Sequence, residues 1–212
     1  MIKGLTRGWV AVLCLAAAPV LAQPADMAPD ALAKSVTDEV LALLRADKEI
    51  QAGNVGKVVE LVEKKVLPHF DFTRMTQLAV GRHWQQSSPE QQKALTSEFR
   101  SLLVQTYASM LAVYRDQKVE YRPLRVEPSE TEVVVRSRVM QTSGTPIPVD
   151  YRMRKTDTGW KVYDVTIGDA SLVQTYRGTF SSEIQRSGVD GLIKSLAEKN
   201  KQLTSDTRSA KR

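Results

Sequence analysis

The chain has 212 residues, with 30 lysines and arginines against 24 aspartates and glutamates, and its only cysteine is Cys14. This length suits one large domain or two small ones. The slight cationic excess favours anionic surfaces, and the absence of interleaved aromatic and basic residues argues against a nucleic-acid partner.

The first 22 residues have the pattern of a secretory signal peptide. Lys3 and Arg7 precede an apolar run over 9–18, and small residues lead up to a predicted cleavage after Ala22. The apolar run is too short to span a bilayer as a stable helix. Cys14 follows a leucine, where a lipoprotein signal has a small residue, so we interpret it as part of the discarded signal.

The predicted mature chain contains no cysteine, which excludes disulfides and thiol catalysis. Export without disulfides indicates a periplasmic location. Loss of Lys3 and Arg7 leaves 28 of the 30 basic residues against 24 acidic ones, a net charge of +4. We expect residues 23–203 to form a single domain and 204–212, which lack apolar periodicity, to form a disordered basic tail.

Helical periodicity extends from residue 30 to about 114. It predicts a first helix from Asp30, a second that ends before Pro68, and a short third helix between an Asp71 cap and Gly81. The segment Ser88–Gln91 has the pattern of a capping box, with proline at the first helical position. It begins the longest predicted helix, from residue 89 to about 114, whose later half is apolar on all sides and therefore buried.

Four alternating segments follow and predict strands over 118–126, 131–141, 147–156 and 159–167. Their short links suit an antiparallel meander. One face of the sheet is apolar, whereas the other carries arginines. Two further helices are predicted, over 171 to about 186 and 189 to about 200. The predicted fold class is therefore α+β, an antiparallel four-stranded curved sheet with helices packed on one face, enclosing an apolar pocket.

The sequence offers little catalytic chemistry. His69 and His83 lack the spacing of zinc ligands, and no nucleophile or phosphate-loop motif is present, so no catalytic residue and no metal is predicted. Asp150 alternates in phase with the arginines, which indicates an ion pair on the outer face. Asp164 is the carboxylate that an isomerase-like enzyme with a cone-shaped pocket could use as a base.

Two segments carry a more specific pattern. The first has the run Phe70-Asp71-Phe72, then Gly81, Trp84 and Ser88–Gln91, with Phe99, Leu103 and Tyr107 following in step. The second has Asp150-Tyr151, the run 160–165, Ser171-Leu172-Val173, Tyr176-Arg177 and Phe180. Together they resemble the MlaC (toluene-tolerance) family of periplasmic phospholipid-binding proteins. The family usually has Glu-Gly before Ser-Leu-Val, where this chain has Gly168-Asp169.

The resemblance implies a phospholipid carrier of a pathway that maintains outer-membrane lipid asymmetry. Such carriers exchange diacyl phospholipid with an outer-membrane lipoprotein–porin complex and with an inner-membrane ABC transporter that bears an MCE-domain subunit. We expect a monomer that binds phospholipid as cargo and uses no cofactor. Two other hypotheses stay open: the isomerase-like enzyme, and a lipid-free adaptor that docks on an envelope complex.

The apolar stripes and alternations supply candidates for the pocket lining, and for each of them the alternative is a place in the core. The predicted lining comprises Leu78, Trp84, Phe99, Leu103, Tyr107, Met110, Val135, Val139, Val149, Tyr151, Val165, Leu172, Val173 and Tyr176. Arg177, next to this set, is the candidate contact for a lipid headgroup, and the alternative is an ion pair with a carboxylate.

Overall fold

The computed structural model describes residues 27–209, so the predicted signal peptide and its cleavage site lie outside the described residues. The helices are α1 (Pro29–Ala46), α2 (Lys48–Gln51), α3 (Val55–Lys65), α4 (Phe72–Val80), α5 (Pro89–Val113) and α6 (Leu172–Ser209). Short 3₁₀ turns at Leu67–His69 and Gly81–Trp84 flank α4. None of the helices in this range is long and apolar enough to cross a membrane.

The helix boundaries follow the capping signals in the sequence. The Gln91 N–H donates to Ser88 Oγ at 3.2 Å, and the Ser88 N–H donates to Gln91 Oε1 at 3.0 Å, which completes the predicted capping box of α5. The Arg74 N–H donates to Asp71 Oδ1 at 2.9 Å and caps α4. Gly81, at φ 64°, ends that helix.

The C-terminal helix is longer than the sequence predicts. Within α6, two helical segments meet at Gly188, whose φ of 74° and ψ of −180° are not helical, so the predicted break between two helices is present as a sharp kink. The helix also continues through 204–209, which belong to the predicted disordered tail. Residues 210–212 lie outside the described range.

Within residues 27–209, the sheet has five strands in the order β1-β2-β3-β4-β5, and each pairs antiparallel with its neighbours. They are β1 (Lys118–Tyr121), β2 (Glu132–Met140), β3 (Ile147–Thr156), β4 (Gly159–Ile167) and β5 (Ala170–Ser171). The first strand ends before Pro123, which has no N–H for a ladder, and not at residue 126 as predicted. The sequence does not predict the fifth strand, which forms because Gly168, at φ 62°, lets the chain turn back beside β4.

Three apolar cores lie within the part of the chain that the structure describes. The helix core lies among α4, α5 and α6 and includes Met75, Phe99, Val173 and Phe180. The lateral core joins α1, α2 and α3 to the middle of α5. The sheet core lies under the apolar face of the sheet, where Leu32 of α1 covers it.

The sheet core and the helix core meet at β4. The register shifts by one residue between Arg152 and Met153, opposite the segment from Val162 to Asp164. This bulge places Tyr163 in the helix core, whereas Val162 and Val165 belong to the sheet core. β4 is therefore buried on both faces, and it ties the sheet to α6.

Candidate functional site

The apolar face of the sheet, called the inner face here, is made of cross-strand rows whose exposure increases from one end to the other. The four rows are Val133–Met153–Val162, Val135–Tyr151–Val165, Tyr121–Ser137–Val149–Ile167 and Val119–Val139–Ile147. The first row is buried throughout, and every member of the fourth is half-buried. The inner face thus opens towards solvent at its fourth row, although its side chains there are still apolar.

Half-buried apolar side chains also mark the boundaries between the cores. Phe70 and Leu172 contact both the helix core and the sheet core, and Val36 contacts the sheet core and the lateral core. Large apolar side chains at such central positions are normally fully buried. Their partial exposure identifies the space between the inner face, α1 and the start of α6 as the candidate binding site.

A cluster of hydroxyl groups lies within this otherwise apolar region. Thr37 Oγ1 and Tyr121 Oη are 2.7 Å apart, and Tyr121 Oη also donates to the Ala33 carbonyl at 3.2 Å. The Tyr121 and Tyr151 rings stack with centroids 6.5 Å apart. Burial raises the pKa of both phenols, so they are neutral at physiological pH. The inner face therefore carries hydrogen-bonded hydroxyls but no tyrosinate charge.

The helix-core side of the site contains an aromatic group. The Phe99 ring lies edge-on to both Tyr176 and Phe180, with centroids 5.1 Å apart in each pair. Burial, together with the neighbouring phenol of Tyr107, raises the pKa of Tyr176 to about 12. These contacts fix α5 against the first turns of α6.

The Phe-Asp-Phe motif has a structural role at the edge of β4. Phe70 forms a parallel bridge with Val162, and the Asp71 N–H donates to the Val162 carbonyl at 2.8 Å. Asp71 Oδ2 lies 3.0 Å from Arg154 Nε, while its other oxygen caps α4. The motif therefore anchors the start of α4 to the sheet and holds Phe70 between the two cores.

Asp164 also has a structural role, which accounts for its burial. Its side chain accepts hydrogen bonds from the Ser171 hydroxyl at 2.7 Å and from the Val173 N–H at 3.1 Å. The carboxylate thus accepts a hydrogen bond from a backbone N–H that has no partner within the first turn of α6, and its negative charge is favourable at the helix N-terminus. Asp150 lies on the outer face as expected, with Oδ2 3.9 Å from Arg136 Nε. Neither carboxylate is placed as a base facing the inner face of the sheet.

The structure divides the fourteen predicted lining residues between the two sides of the candidate site. Val135, Val139, Val149, Tyr151 and Val165 lie on the inner face of the sheet. Leu78, Trp84, Phe99, Leu103, Tyr107, Val173 and Tyr176 belong to the helix core or pack against it. Leu172 contacts both sides, and Met110, on α5, is 42% exposed.

Several of these side chains fill the protein interior in this structure. Phe99 and Val135 have no solvent exposure. Trp84 lines a separate cleft of about 460 Å³ beside the N-terminal half of α5, together with Lys93 and Arg100. Among the members of the set on the inner face or between the two cores, Val139, Val149, Tyr151 and Leu172 are half-buried and are therefore placed to contact a ligand between sheet and helices.

Arg177 lies beside the C-terminal end of α4. A Cβ at Gly81 would be 3.6 Å from Arg177 Nε, so the guanidinium packs against the glycine backbone, where the helix dipole favours a cation. His69 is half-buried, and burial together with Lys161 lowers its pKa. Within residues 27–209, no three His, Cys, Asp or Glu side chains are grouped as metal ligands.

Sequence reasoning missed several residues of the site. Half-buried apolar residues around the sheet core that were not predicted as lining include Val36, Phe70, Tyr121, Leu124 and Val126. Leu124 and Val126 lie beyond the end of β1 and are out of phase with Val119 and Tyr121, so the alternation of the predicted strand does not place them on the inner face.

Comparison with known proteins gives relatives along most of the chain. A family model described as MlaC protein matches residues 34–198. Toluene tolerance protein ttg2D of Pseudomonas putida is 26% identical over 191 residues, covering 90% of this chain and 87% of the relative. The intermembrane phospholipid transport system binding protein MlaC of Haemophilus influenzae is 22% identical over 177 residues, covering 82% of this chain and 83% of the relative.

A solved structure has the same fold. It is the phospholipid-binding protein from Ralstonia solanacearum in complex with a phospholipid, which is 45% identical and superposes with a TM-score of 0.76. The match covers 82% of this chain and 98% of that one. Since the family match spans well over half of the sequence, the chain belongs to the MlaC family, which confirms the resemblance of its two motifs.

Proposed function

We propose that this protein binds a diacyl phospholipid between the inner face of its sheet and its helices, and carries it across the periplasm. The observation that carries the proposal is the graded exposure of the inner face, which leaves apolar rows half-covered. The phospholipid bound to the 45% identical Ralstonia protein supports a ligand of this class.

The physical task explains why the site is mostly apolar. A diacyl lipid has on the order of thirty chain methylenes, and exposure of all of them to water costs roughly 24 kcal/mol. A carrier must therefore cover the tails. It must also release them to a membrane that solvates them equally well, which favours a smooth lining of Val149, Ile167 and Leu172 over strong polar anchors.

The positions of Asp164 and of the phenols on the inner face agree better with a phospholipid carrier than with an isomerase-like enzyme. Asp164, the base that the enzyme hypothesis requires, is held by Ser171 and Val173 at the start of α6. The phenols of the inner face are neutral and hydrogen-bonded. We propose that the chain has no enzymatic role of its own and binds phospholipid as cargo, without a cofactor.

Membership of the family supports a proposal for the location and the partners. The name of the Haemophilus relative places it in an intermembrane phospholipid transport system. We propose that this chain is likewise exported and works in the periplasm, as a monomer. It then exchanges lipid with an outer-membrane lipoprotein–porin complex and with an inner-membrane ABC transporter bearing an MCE-domain subunit, in a pathway that maintains outer-membrane lipid asymmetry.

The decisive experiment is native mass spectrometry of the protein purified from periplasm without detergent, with extraction of its lipids. We expect about one phospholipid per chain and a large loss of lipid in Val149→Glu, because a carboxylate among the half-buried rows disfavours acyl chains. The matched control is Val134→Glu, which changes a half-buried valine of the neighbouring strand on the opposite face.

The result can separate the three hypotheses. A bare polypeptide mass, together with no uptake of phospholipid from vesicles, would contradict the carrier and favour the lipid-free adaptor. Equal lipid loss in both variants would show that the inner face is not the site. Leu172→Trp provides a second test with no added charge, since the larger ring fills the space where the two cores meet.

A further inference from the structure

Four arginines lie together on the outer face of the sheet, opposite the inner face. Arg136 and Arg138 project from β2 and Arg152 from β3, and the Arg122 N–H donates to the Arg136 carbonyl at 2.9 Å. All four are exposed, and the Arg136 side chain retains 60% of its accessible surface. We call these four residues the arginine face.

The charges of the arginine face are only weakly compensated. Across the described part of the chain, Arg136 alone of the four lies within 4.0 Å of a carboxylate, at 3.9 Å from Asp150. Arg152 stacks on the Tyr163 ring, with its guanidinium carbon 5.2 Å from the centroid. By contrast, Arg154, on the same strand as Arg152, forms an ion pair with Asp71 at 3.0 Å, which helps to anchor the start of α4 to the sheet.

The surroundings of these arginines resemble a protein interface. Val134 and Met140 are half-buried side chains on the same outer face, so apolar side chains flank Arg136 and Arg138 along β2. Arginine and methionine are enriched in protein interfaces, and the planar guanidinium matches a carboxylate through two parallel hydrogen bonds. We propose that the arginine face docks on an acidic protein surface.

The pattern of charges favours a protein over a bilayer as the partner. Glu120 and Asp150 are cross-strand neighbours of Arg138 and Arg136 respectively. A uniformly anionic bilayer repels such carboxylates, whereas a folded partner can oppose each one with a cation or leave it in water. Since the proposed lipid site is on the other side of the sheet, docking leaves the cargo covered, and this inference does not depend on lipid binding.

The test is crosslinking in cells with a photoreactive amino acid at Pro148, which is exposed and faces Arg138 across the strands. The comparison position is Gln185, exposed on α6. We expect a protein adduct from position 148 only, with the crosslinked peptide of the partner lying in an acidic surface. No adduct above the position 185 level, or a partner peptide without acidic residues, overturns the proposal.

Charge reversal identifies the contribution of the arginines. Arg136→Glu with Arg138→Glu should lower the adduct yield about tenfold or more, since opposed carboxylates then repel. Lys194→Glu with Lys199→Glu on α6 changes the net charge equally and should leave the yield unchanged. In the variant with Arg136→Glu and Arg138→Glu, replacement of the mapped partner carboxylates by lysine should restore the adduct. If the adduct is not restored, the arginines do not pair directly with those carboxylates.

Two measurements distinguish an acidic protein partner from a membrane and from a lipid headgroup. The bilayer probe is a vesicle that contains phosphatidylglycerol, tested by co-sedimentation. If the wild type sediments with the vesicles, the variant with Arg136→Glu and Arg138→Glu does not, and no protein adduct forms, the arginine face binds membranes and the proposal is overturned. Lipid content by native mass spectrometry should stay at the wild-type level in both charge variants. A loss of lipid by the reversed variant alone also overturns the proposal, because it places Arg136 and Arg138 in the lipid site.

Discussion

Asp164 accepts a hydrogen bond from the backbone N–H of Val173, nine residues later in the chain, at 3.1 Å. This contact fixes the angle at which β4 passes into α6 through the turn at Gly168. Leu172, between the sheet core and the helix core, is held in place by the same corner. The shape of the proposed lipid site therefore depends on a carboxylate that does not face the lipid.

We expect Asp164→Asn to lower the free energy of unfolding by about 2 kcal/mol. The carboxylate is 3% exposed and accepts two hydrogen bonds at a helix N-terminus, and the amide loses both the charge and an acceptor. Urea denaturation provides the measurement, with Asp169→Asn, an exposed neighbour, as the control. A loss below about 0.5 kcal/mol would contradict a capping role.

Two glycines, Gly81 and Gly178, should respond to alanine in opposite directions. Gly81 has φ 64°, so Gly81→Ala should cost about 1–3 kcal/mol of stability through backbone strain. Gly178 is helical and open, with no atom within 4 Å of an added Cβ. Gly178→Ala should therefore stabilise α6 by about 0.5–1 kcal/mol. Urea midpoints that shift in the same direction for both variants would contradict the role assigned to Gly81 at the end of α4.

The buried phenols predict a loss of stability at alkaline pH. Burial raises the pKa of Tyr121 and Tyr151 above the usual value of 10.0, so the folded state retains protons that the unfolded state loses. Their contribution is fully present below about pH 10 and is lost as the pH rises through the folded-state values. Tyrosinate absorbance should rise with unfolding, and Tyr121→Phe should make the loss of stability less steep. Reversible titration of all six tyrosines near pH 10 in the folded protein would contradict the prediction that the buried phenols lose their protons only as the protein unfolds.

Much of the fold was predictable because it depends on local signals. The capping box at Ser88 and the stop at Gly81 set helix boundaries through neighbouring backbone groups. The alternation of β2 and β3 assigned their faces correctly, since valines and arginines differ so strongly in hydration. β1 was predicted too long because the alternation was followed past Pro123, which has no N–H for a ladder and after which no pairing with β2 continues.

The candidate site was less predictable because it depends on tertiary contacts. The bulge at Tyr163 shifts the alternation of β4 by one residue, and no residue type in the sequence indicates it. Phe70 lies outside every periodic stripe and matters only through its bridge to Val162. The helical stripe of α5 includes Met110, yet periodicity does not indicate which turns of a helix are covered by a neighbour.

The increasing exposure of the inner face predicts the direction in which acyl chains enter. Trp160 belongs to the sheet core next to the buried first row, whereas Trp84 belongs to the helix core and lines the separate cleft. Because Trp9 lies in the predicted signal peptide, these are the only tryptophans of the mature chain. Each can then be observed alone, in Trp84→Phe or in Trp160→Phe.

Brominated phospholipids, which quench nearby tryptophan fluorescence, test this direction. If the tails point towards the first row, bromine at the chain ends should quench Trp160 more strongly than bromine near the headgroup. Trp84 should be quenched weakly by both, because it belongs to the helix core and lines the separate cleft beside α5, not the inner face. Stronger quenching of Trp84 than of Trp160 would place the lipid among the helices and would contradict a site on the inner face. Equal quenching of Trp160 by the two brominated lipids would contradict the predicted direction of the tails.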